Sequence, residues 1–394
     1  MENSRVCKNC VLDTETPNTD LVFDSNGICN NCNNYKSFVS KSVISLRIDE
    51  RQDKLNQLIS KIKKSGESKQ YDCILGISGG MDSAYLAIRA KELGLSPLVV
   101  HFDNGWNSEL AVTNINNTIT KLGYHLHTYV INWDEFKDIQ LSYLKASVID
   151  IEVPTDQFIY ATLYEIAYKY GIKYILDGNN IETEFWGGSW KWSFDKLDLV
   201  NLENIHKKFG TIKLNKYPKI GKFQRYFYTK IVGIESAYIL NYLPYNKKEV
   251  ETILKQKLNW QDPGGKHYES IFTRFYQGYI LPVKFKIDKR KSHLSNLIWS
   301  NQMSREEALN ILDKPTYDKS LQNEDLEYIL KKFELSKEEF EKIMQTPPIP
   351  HEEYGTDKEI EQKFQLFVRI SESFIGKSIY FILRKLKIIK NLHI

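Results

Sequence analysis

The six residues from Ser78 to Ser83, Ser-Gly-Gly-Met-Asp-Ser, bring together two hydroxyls, two glycines and a carboxylate. Adjacent glycines let the backbone curl until successive N–H groups converge. Such a nest at the start of a helix suits a phosphate or pyrophosphate. Ser78 and Ser83 would add donors beside Gly79, Gly80 and Met81. Asp82 would repel phosphate unless a cation lay between them, and Mg²⁺, which binds through a carboxylate plus phosphate oxygens, is the natural choice. A glycine-rich turn with no ligand is the competing reading.

Cysteines form a second set. Four of the five fall in the first 32 residues, as Cys7-x2-Cys10 and Cys29-x2-Cys32. This spacing is that of a four-thiolate Zn²⁺ site. With no open coordination position such a site is structural, and in a turn-rich segment the metal can contribute on the order of 10 kcal/mol of apparent folding free energy. An iron–sulfur cluster is the rival occupant. The fifth, Cys73, lies in an apolar run and reads as a core thiol.

The elements that must hold these groups alternate between strand and helix. Cys73, Ile74, Leu75 and Ile77 form a buried strand, and Leu86, Ala87, Ala90 and Leu93 share one face of the helix after the loop. Further strands are expected at Pro97 to Phe102, Tyr124 to Ile131 and Lys173 to Leu176, with helices at Ser108 to Leu122 and Thr155 to Tyr170. The pattern predicts an α/β fold with a doubly wound, mostly parallel sheet. Ligands in such sheets sit beyond the carboxyl ends of the strands. Three strand ends carry small and polar residues: the Ser78 loop, Asp103-Asn104, and Asp177 to Glu182.

Residues 195 to 260 read as largely helical, forming either a substrate domain or a helical extension of the sheet. The preceding GGSWKWSF suits a loop over a flat ligand or a surface loop pinned by its aromatics. From Trp260 to Met303 a turn at Asp262-Pro263-Gly264-Gly265 leads into Lys266, His267, Glu269, Arg274, Lys284, Lys286, Lys289, Arg290, Lys291 and His293. Cations near a triphosphate can neutralise a departing pyrophosphate, and Arg290 and His293, flanking a helix start, are the preferred candidates. A solvated charged face is the alternative for the rest. Two amphipathic helices meet at Leu335-Ser336, and Pro347-Pro348-Ile349-Pro350 closes the expected body. The domain boundaries follow as 1–40 (zinc ribbon), 41–190 (α/β domain), 191–355 (mainly helical, substrate-binding) and 356–394 (basic amphipathic tail). IYFILRKLKIIKNL in the tail could touch an anionic membrane surface or dock as a helix on the body or a partner.

A net charge of +4 does not call for nucleic acid. No apolar run reaches the length of a membrane span and the N-terminus is polar, so a cytoplasmic protein is expected.

S-G-G-M-D-S is not a Walker A motif. It resembles the pyrophosphate loop of the ATP pyrophosphatases, a family with an adenine nucleotide α hydrolase-like fold that includes GMP synthetase, asparagine synthetase, NAD synthetase and tRNA-thiolating enzymes. The resemblance implies ATP cleaved between its α and β phosphates. It places Phe102, Asp103 and Asn104 at the adenosine, Gly178 and Asn179 beside the phosphates, and Glu182 or Glu184 as metal or substrate contacts. Lys266, His267 and Arg274 join them as candidate substrate contacts.

A narrower resemblance rests on the cysteine knuckles, SGGMDS, DGNNIETE, NWQDPGGKHYES, KFKIDKRKSHLSNLI and EEFEKIMQTPP. Over residues 5 to about 355 the chain looks like the N-acetyl sugar amidotransferase family, which converts an acetamido group on a bacterial surface sugar to an acetamidino group. This implies ATP activation of the amide oxygen, displacement of AMP by ammonia, and a nucleotide-activated sugar as the expected substrate. A glutaminase needs a nucleophilic cysteine. Residue 2 is Glu, Cys7 belongs to the metal set and Cys73 to the strand. The resemblance therefore implies a separate glutaminase and a cyclase-like ammonia-channelling partner. A tRNA-thiolating ATP pyrophosphatase is the main rival, and a nucleotide-sensing assembly subunit a third reading.

Overall fold

The structure is a computed structural model and describes residues 5–17, 19–185, 188, 190 and 192–363. The central strand is β1 (Cys73–Ile77), whose side chains alternate between two apolar layers: Cys73, Leu75 and Ile77 enter one, Ile74 the other. A strand buried on both faces needs helices above and below. Before it come α1 (Asn30–Val39) and α2 (Ile48–Ser65), the latter burying Leu55, Ile59 and Ile62 against the first layer. After it, α3 (Met81–Glu92), β2 (Pro97–Asp103), α4 (Glu109–Leu122) and β3 (Leu126–Val130) follow in the expected order. Ser108 caps α4 by accepting from the Ala111 N–H at 3.2 Å, and Gly123 ends it in the left-handed region at φ 65°.

Next come α5 (Trp133–Ala146), α6 (Val153–Lys169), β4 (Tyr174–Leu176), α7 (Leu199–Phe209), α8 (Lys222–Tyr226) and β5 (Glu235–Ala237). The sheet order is β3-β2-β1-β4-β5 with every pairing parallel. The fold is therefore the expected α/β class. β5 corrects the largely helical reading of 195–260: three residues beside β4 extend the sheet, and so short a strand leaves little alternation to read. The segment holding α5 had no assignment. It buries Glu135, Asp138, Gln140 and Ser142 alongside Phe136, Ile139, Tyr143 and Leu144, and the polar residues interrupt the apolar stripe. Glu135 accepts the Lys216 and Tyr217 N–H groups, and Asp138 accepts that of Thr211.

The remaining helices are α9 (Lys247–Leu258), packed on the first layer, then α10 (Ile271–Phe275), α11 (Leu281–Lys284), α12 (Arg290–Trp299), α13 (Arg305–Leu312), α14 (Lys319–Phe333) and α15 (Lys337–Gln345). Trp106, Phe136, Phe158, Phe272, Phe275 and Phe333 form a third core that joins α5, α6, α10 and α14. Folded chain continues past Pro350. Asn201 donates to the His351 and Gly355 carbonyls, and Lys222 pairs with Asp357 and Glu361, so packing does not stop where the proline run suggests. Most of the expected tail, including IYFILRKLKIIKNL, lies outside the described residues. Among those described, no helix is long and apolar enough to cross a membrane.

Helix α10 is locked to α14 by a bidentate pair. Arg274 Nε and Nη2 donate to Asp325 at 2.8 and 2.7 Å, and Tyr317 donates to the same carboxylate. Both charged side chains are buried. Removing one partner strands the other charge, so Arg274→Met should lower the unfolding free energy by about 3–5 kcal/mol in urea denaturation. A loss below about 1 kcal/mol would mean the pair is not holding the helices together.

Candidate active site

The strand order reverses about β1. β2 lies on one side and β4 on the other, so the loops leaving β1 and β4 splay apart at their carboxyl ends. A cavity of about 300 Å³ opens there. One wall is Ser78, Gly80, Met81, Asp82 and Ser83. A second is Asp177, Gly178, Asn179, Thr183 and Glu184, and the roof is Asp262 to His267 with Glu269 and His293.

The turn after β1 depends on two close approaches. Gly79 has φ +83°, and a Cβ there would lie 2.6 Å from the Ala111 carbonyl oxygen of α4. Its own carbonyl accepts from Trp260 Nε1 at 2.9 Å and from Asn114 Nδ2 at 3.2 Å. A Cβ on Gly80 would lie 2.9 Å from Glu269 Oε1. Inside the turn, the Gly80 N–H donates to Ser78 Oγ at 3.2 Å and Ser83 Oγ donates to the Gly80 carbonyl at 3.1 Å. Both hydroxyls thus sit at the helix start, where the backbone and the helix dipole favour an anion.

Charged groups run as a chain across the cavity. Lys266 Nζ lies 2.8 Å from Asp82 Oδ2 and 3.0 Å from Glu184 Oε1. His267 Nε2 is 3.3 Å from the same Glu184 oxygen, and Ser78 Oγ donates to Glu269 Oε1 at 3.3 Å. Asp82 Oδ1 accepts from Asn180 Nδ2 at 3.1 Å and from the Tyr245 hydroxyl. Burial alone would lower the Lys266 ammonium, but the Asp82 and Glu184 carboxylates overcome it and hold it above the usual lysine range. Burial would likewise raise Glu184, yet Lys266 and His267 pull it well below the ordinary carboxylate range. His293 is pushed the other way. Burial, with Lys289, His267 and Lys266 nearby, keeps its imidazole neutral. Asp82, with Glu184 across Lys266, supplies the oxygen donors that Mg²⁺ takes alongside phosphate.

Of the residues expected from sequence, Ser78, Gly80, Met81, Asp82, Ser83, Gly178, Asn179, Glu184, Lys266, His267 and His293 line the cavity, and Gly79 shapes its loop. Others do not reach it. Arg290 binds Asp288 in two places and reaches carbonyls of Ile311, Leu312, Lys314 and Pro315, so its guanidinium is consumed in joining α12 to the chain after α13. Arg274 is spent on Asp325. Glu182 lies outside the lining. At the end of β2, Phe102 packs edge-on to Phe158, while Asp103 and Asn104 accept the N–H groups of Gly105 and Trp106 and fix the turn. Asp177 belongs to the strand end already expected at the cleft, whereas Thr183, Tyr245 and Trp260 were not named as site candidates. Glu269 stood in a segment already marked as dense in charge, but Tyr245 reaches Asp82 across 163 positions of sequence and left no signal.

The cysteines converge as their spacing predicts. Sulfur separations are 3.7 Å for Cys7 with Cys32 and for Cys10 with Cys29, and 3.5 Å for Cys29 with Cys32. A tetrahedron with metal–sulfur bonds of about 2.3 Å has edges of about 3.8 Å, so the four fit Zn²⁺. Another close acidic set, Asp195, Asp357 and Glu361, surrounds the Lys222 ammonium at 2.9, 2.6 and 2.7 Å and is neutralised by it.

Residues 269–370 match the family described as LPS biosynthesis protein WbpG-like, C-terminal domain. No curated protein matches the chain. Among solved structures it is similar to NMN synthetase from Francisella tularensis, with 16% identity over 57% of this chain and 90% of that one and a TM-score of 0.28. It is also similar to an NH3-dependent NAD synthetase from Campylobacter jejuni, with 14% identity over 54% and 94% and a TM-score of 0.28. The matched segment begins at Glu269 and contains three residues that line the cavity, Glu269, His293 and Leu297.

Because Glu184 is held charged, its contribution to stability is complete above the usual glutamate value of 4.5 and is lost as the pH falls below it. Glu184→Gln should therefore be less stable than the parent by about 1–3 kcal/mol near neutrality. The difference should close on acidification below pH 4.5, as followed by urea unfolding across a pH series. A gap that does not vary with pH would contradict the charged assignment.

Proposed function

We propose that this protein is an ATP-dependent amidotransferase that converts an acetamido group of a bacterial surface sugar, carried on a nucleotide, to an acetamidino group. The observation that carries the reading is one cavity where a glycine nest, an aspartate and a lysine–glutamate pair meet residues of the segment matched to the WbpG-like family. The family description ties that segment to LPS biosynthesis, where such sugars are made.

An amide oxygen is a weak nucleophile and a poor leaving group. Attack of the acetamido oxygen on the α phosphorus of ATP forms an O-adenylyl imidate and releases pyrophosphate. Addition of ammonia to the imidate carbon and departure of AMP leave the amidine, and the original amide oxygen goes out on AMP. The backbone N–H groups of Gly79 to Asp82, with the Ser78 and Ser83 hydroxyls, bind the pyrophosphate portion, as positioned donors facing developing charge. Lys266 lies where it can leave the carboxylates and follow charge onto the departing group. His293, neutral in the cavity wall, can accept a proton from the attacking amine. Mg²⁺, when held by Asp82 and Glu184, would neutralise phosphate oxygens.

Ammonia, in this reading, comes from a separate glutaminase through a cyclase-like channelling partner. Among the described residues no cysteine lines the cavity, and Cys73 is fully buried with its thiol raised by burial and by Asp72. That counts against a sulfur-carrying role such as tRNA thiolation.

Incubation with ATP, Mg²⁺, ammonium and a panel of nucleotide-linked acetamido sugars, read by mass spectrometry, should yield a product lighter by about one mass unit together with AMP and pyrophosphate. Absence of such a product across the panel, with ATP still turned over, would point to another acceptor. Asp82→Asn should remain folded, with a modestly lower melting temperature from the weakened Lys266 pair, yet release pyrophosphate at least roughly a hundredfold more slowly. Near-normal release would remove Asp82 from the phosphate site.

A further inference from the structure

The four-cysteine centre and two walls of the cavity share one aromatic cluster. Phe185 follows Glu184 directly, and its ring lies edge-on to Tyr35 of α1 at 5.3 Å and to Trp299 at 6.1 Å. Tyr35 stacks on Trp299 at 5.4 Å. Trp299 is the last residue of α12, the helix that carries His293 and Leu297 into the cavity. Its buried indole Nε1–H donates to Cys32 Sγ at 3.1 Å. The same helix is tied to the other wall by Asn296, whose amide donates to the Thr183 carbonyl at 3.3 Å. On the far side, Arg305 Nε lies 3.1 Å from the carbonyl oxygens of both Cys7 and Cys10, and Lys291 pairs with Asp13.

An indole N–H directed at sulfur is well matched when that sulfur is a metal-bound thiolate, because the bond then stabilises negative charge. Such outer contacts orient the ligand and tune the metal. The donor here is fixed at the end of a helix, so the bond has two ends that matter. If the sulfur moves, α12 must follow, and Phe185 must repack beside Glu184.

We propose that Trp299 is a positioning residue: its N–H···S bond to Cys32 and its ring contacts with Tyr35 and Phe185 set Glu184 on one cavity wall and His293 on another from the geometry of the four-cysteine metal centre. The cysteine module is then a buttress of the site as well as a fold element. This inference rests on the cysteine centre and the cavity walls, and it holds or fails independently of the reaction carried out there.

Trp299→Phe keeps an aromatic ring and removes the donor. In the full chain with Co²⁺ in place of Zn²⁺, the variant's sulfur-to-cobalt charge-transfer band should move to lower energy, since a thiolate without its hydrogen bond gives up an electron more easily. Hydrogen exchange should rise several-fold in 181–185 and 291–298 while 73–77 and 153–169 stay protected. Arg305→Ala, which touches carbonyls and not sulfur, should speed metal loss without moving the band. An unchanged band with unchanged exchange in Trp299→Phe would overturn the proposal, as would exchange that rises evenly along the chain. Should Trp299→Phe not fold, chelation of the metal from the parent protein gives the same reading: outside the cysteine segment itself, exchange that rises at 181–185 and 291–298 while 73–77 and 153–169 stay protected supports the coupling, and no change at either contradicts it.

Discussion

Three charges set the geometry of this protein. Asp82, Glu184 and Lys266 leave bulk water together, with the ammonium 2.8 Å from one carboxylate and 3.0 Å from the other. Asp82 and Lys266 keep about 20% of their side-chain surface exposed and Glu184 7%, so each charge is partly withdrawn from water and is stabilised by the others. Asp82 comes from the loop after the central strand, Glu184 from the loop after β4, and Lys266 from the turn that leads into the segment matched to the WbpG-like family. Their meeting ties these three segments together about one cavity.

Apolar packing supplies the rest of that arrangement. Trp260 closes the first layer and also holds the Gly79 carbonyl, so the loop from Ser78 to Ser83 is fastened to the segment that carries Lys266. The cysteine module enters through Tyr35, Phe185 and Trp299, which gives a small metal centre contact with two walls of the site. Arg290 and Arg274, whose charge made them attractive as ligands for phosphate, are used instead to bind helices and loops to one another. The same side chains that could neutralise a substrate are equally suited to bidentate structural pairing, and sequence does not distinguish the two uses.

What could be read from the chain was local. The loop from Ser78 to Ser83, the cysteine spacing and the helix from Ser108 to Leu122 each depend on neighbours within a few positions, and each is found where its residues place it. What escaped depended on distant partners. The helix at Trp133–Ala146 buries polar residues that are satisfied by backbone groups from 211 to 217, so its apolar stripe is interrupted. β5 takes its identity from pairing with β4. Tyr245 became visible as a site residue only through its bond to Asp82, whereas Asn180, which also bonds Asp82, lay in the polar strand end already marked by sequence.

In the proposed reaction ATP activates the acetamido oxygen at the α phosphorus. Its most direct test is a sugar substrate labelled with oxygen-18 in the acetamido carbonyl, turned over with ATP and ammonium, with the label followed by mass spectrometry or phosphorus NMR. The account predicts that the label appears in the phosphoryl group of AMP, one atom for each amidine formed. Label in inorganic phosphate or pyrophosphate, or retained in the sugar product, would contradict it.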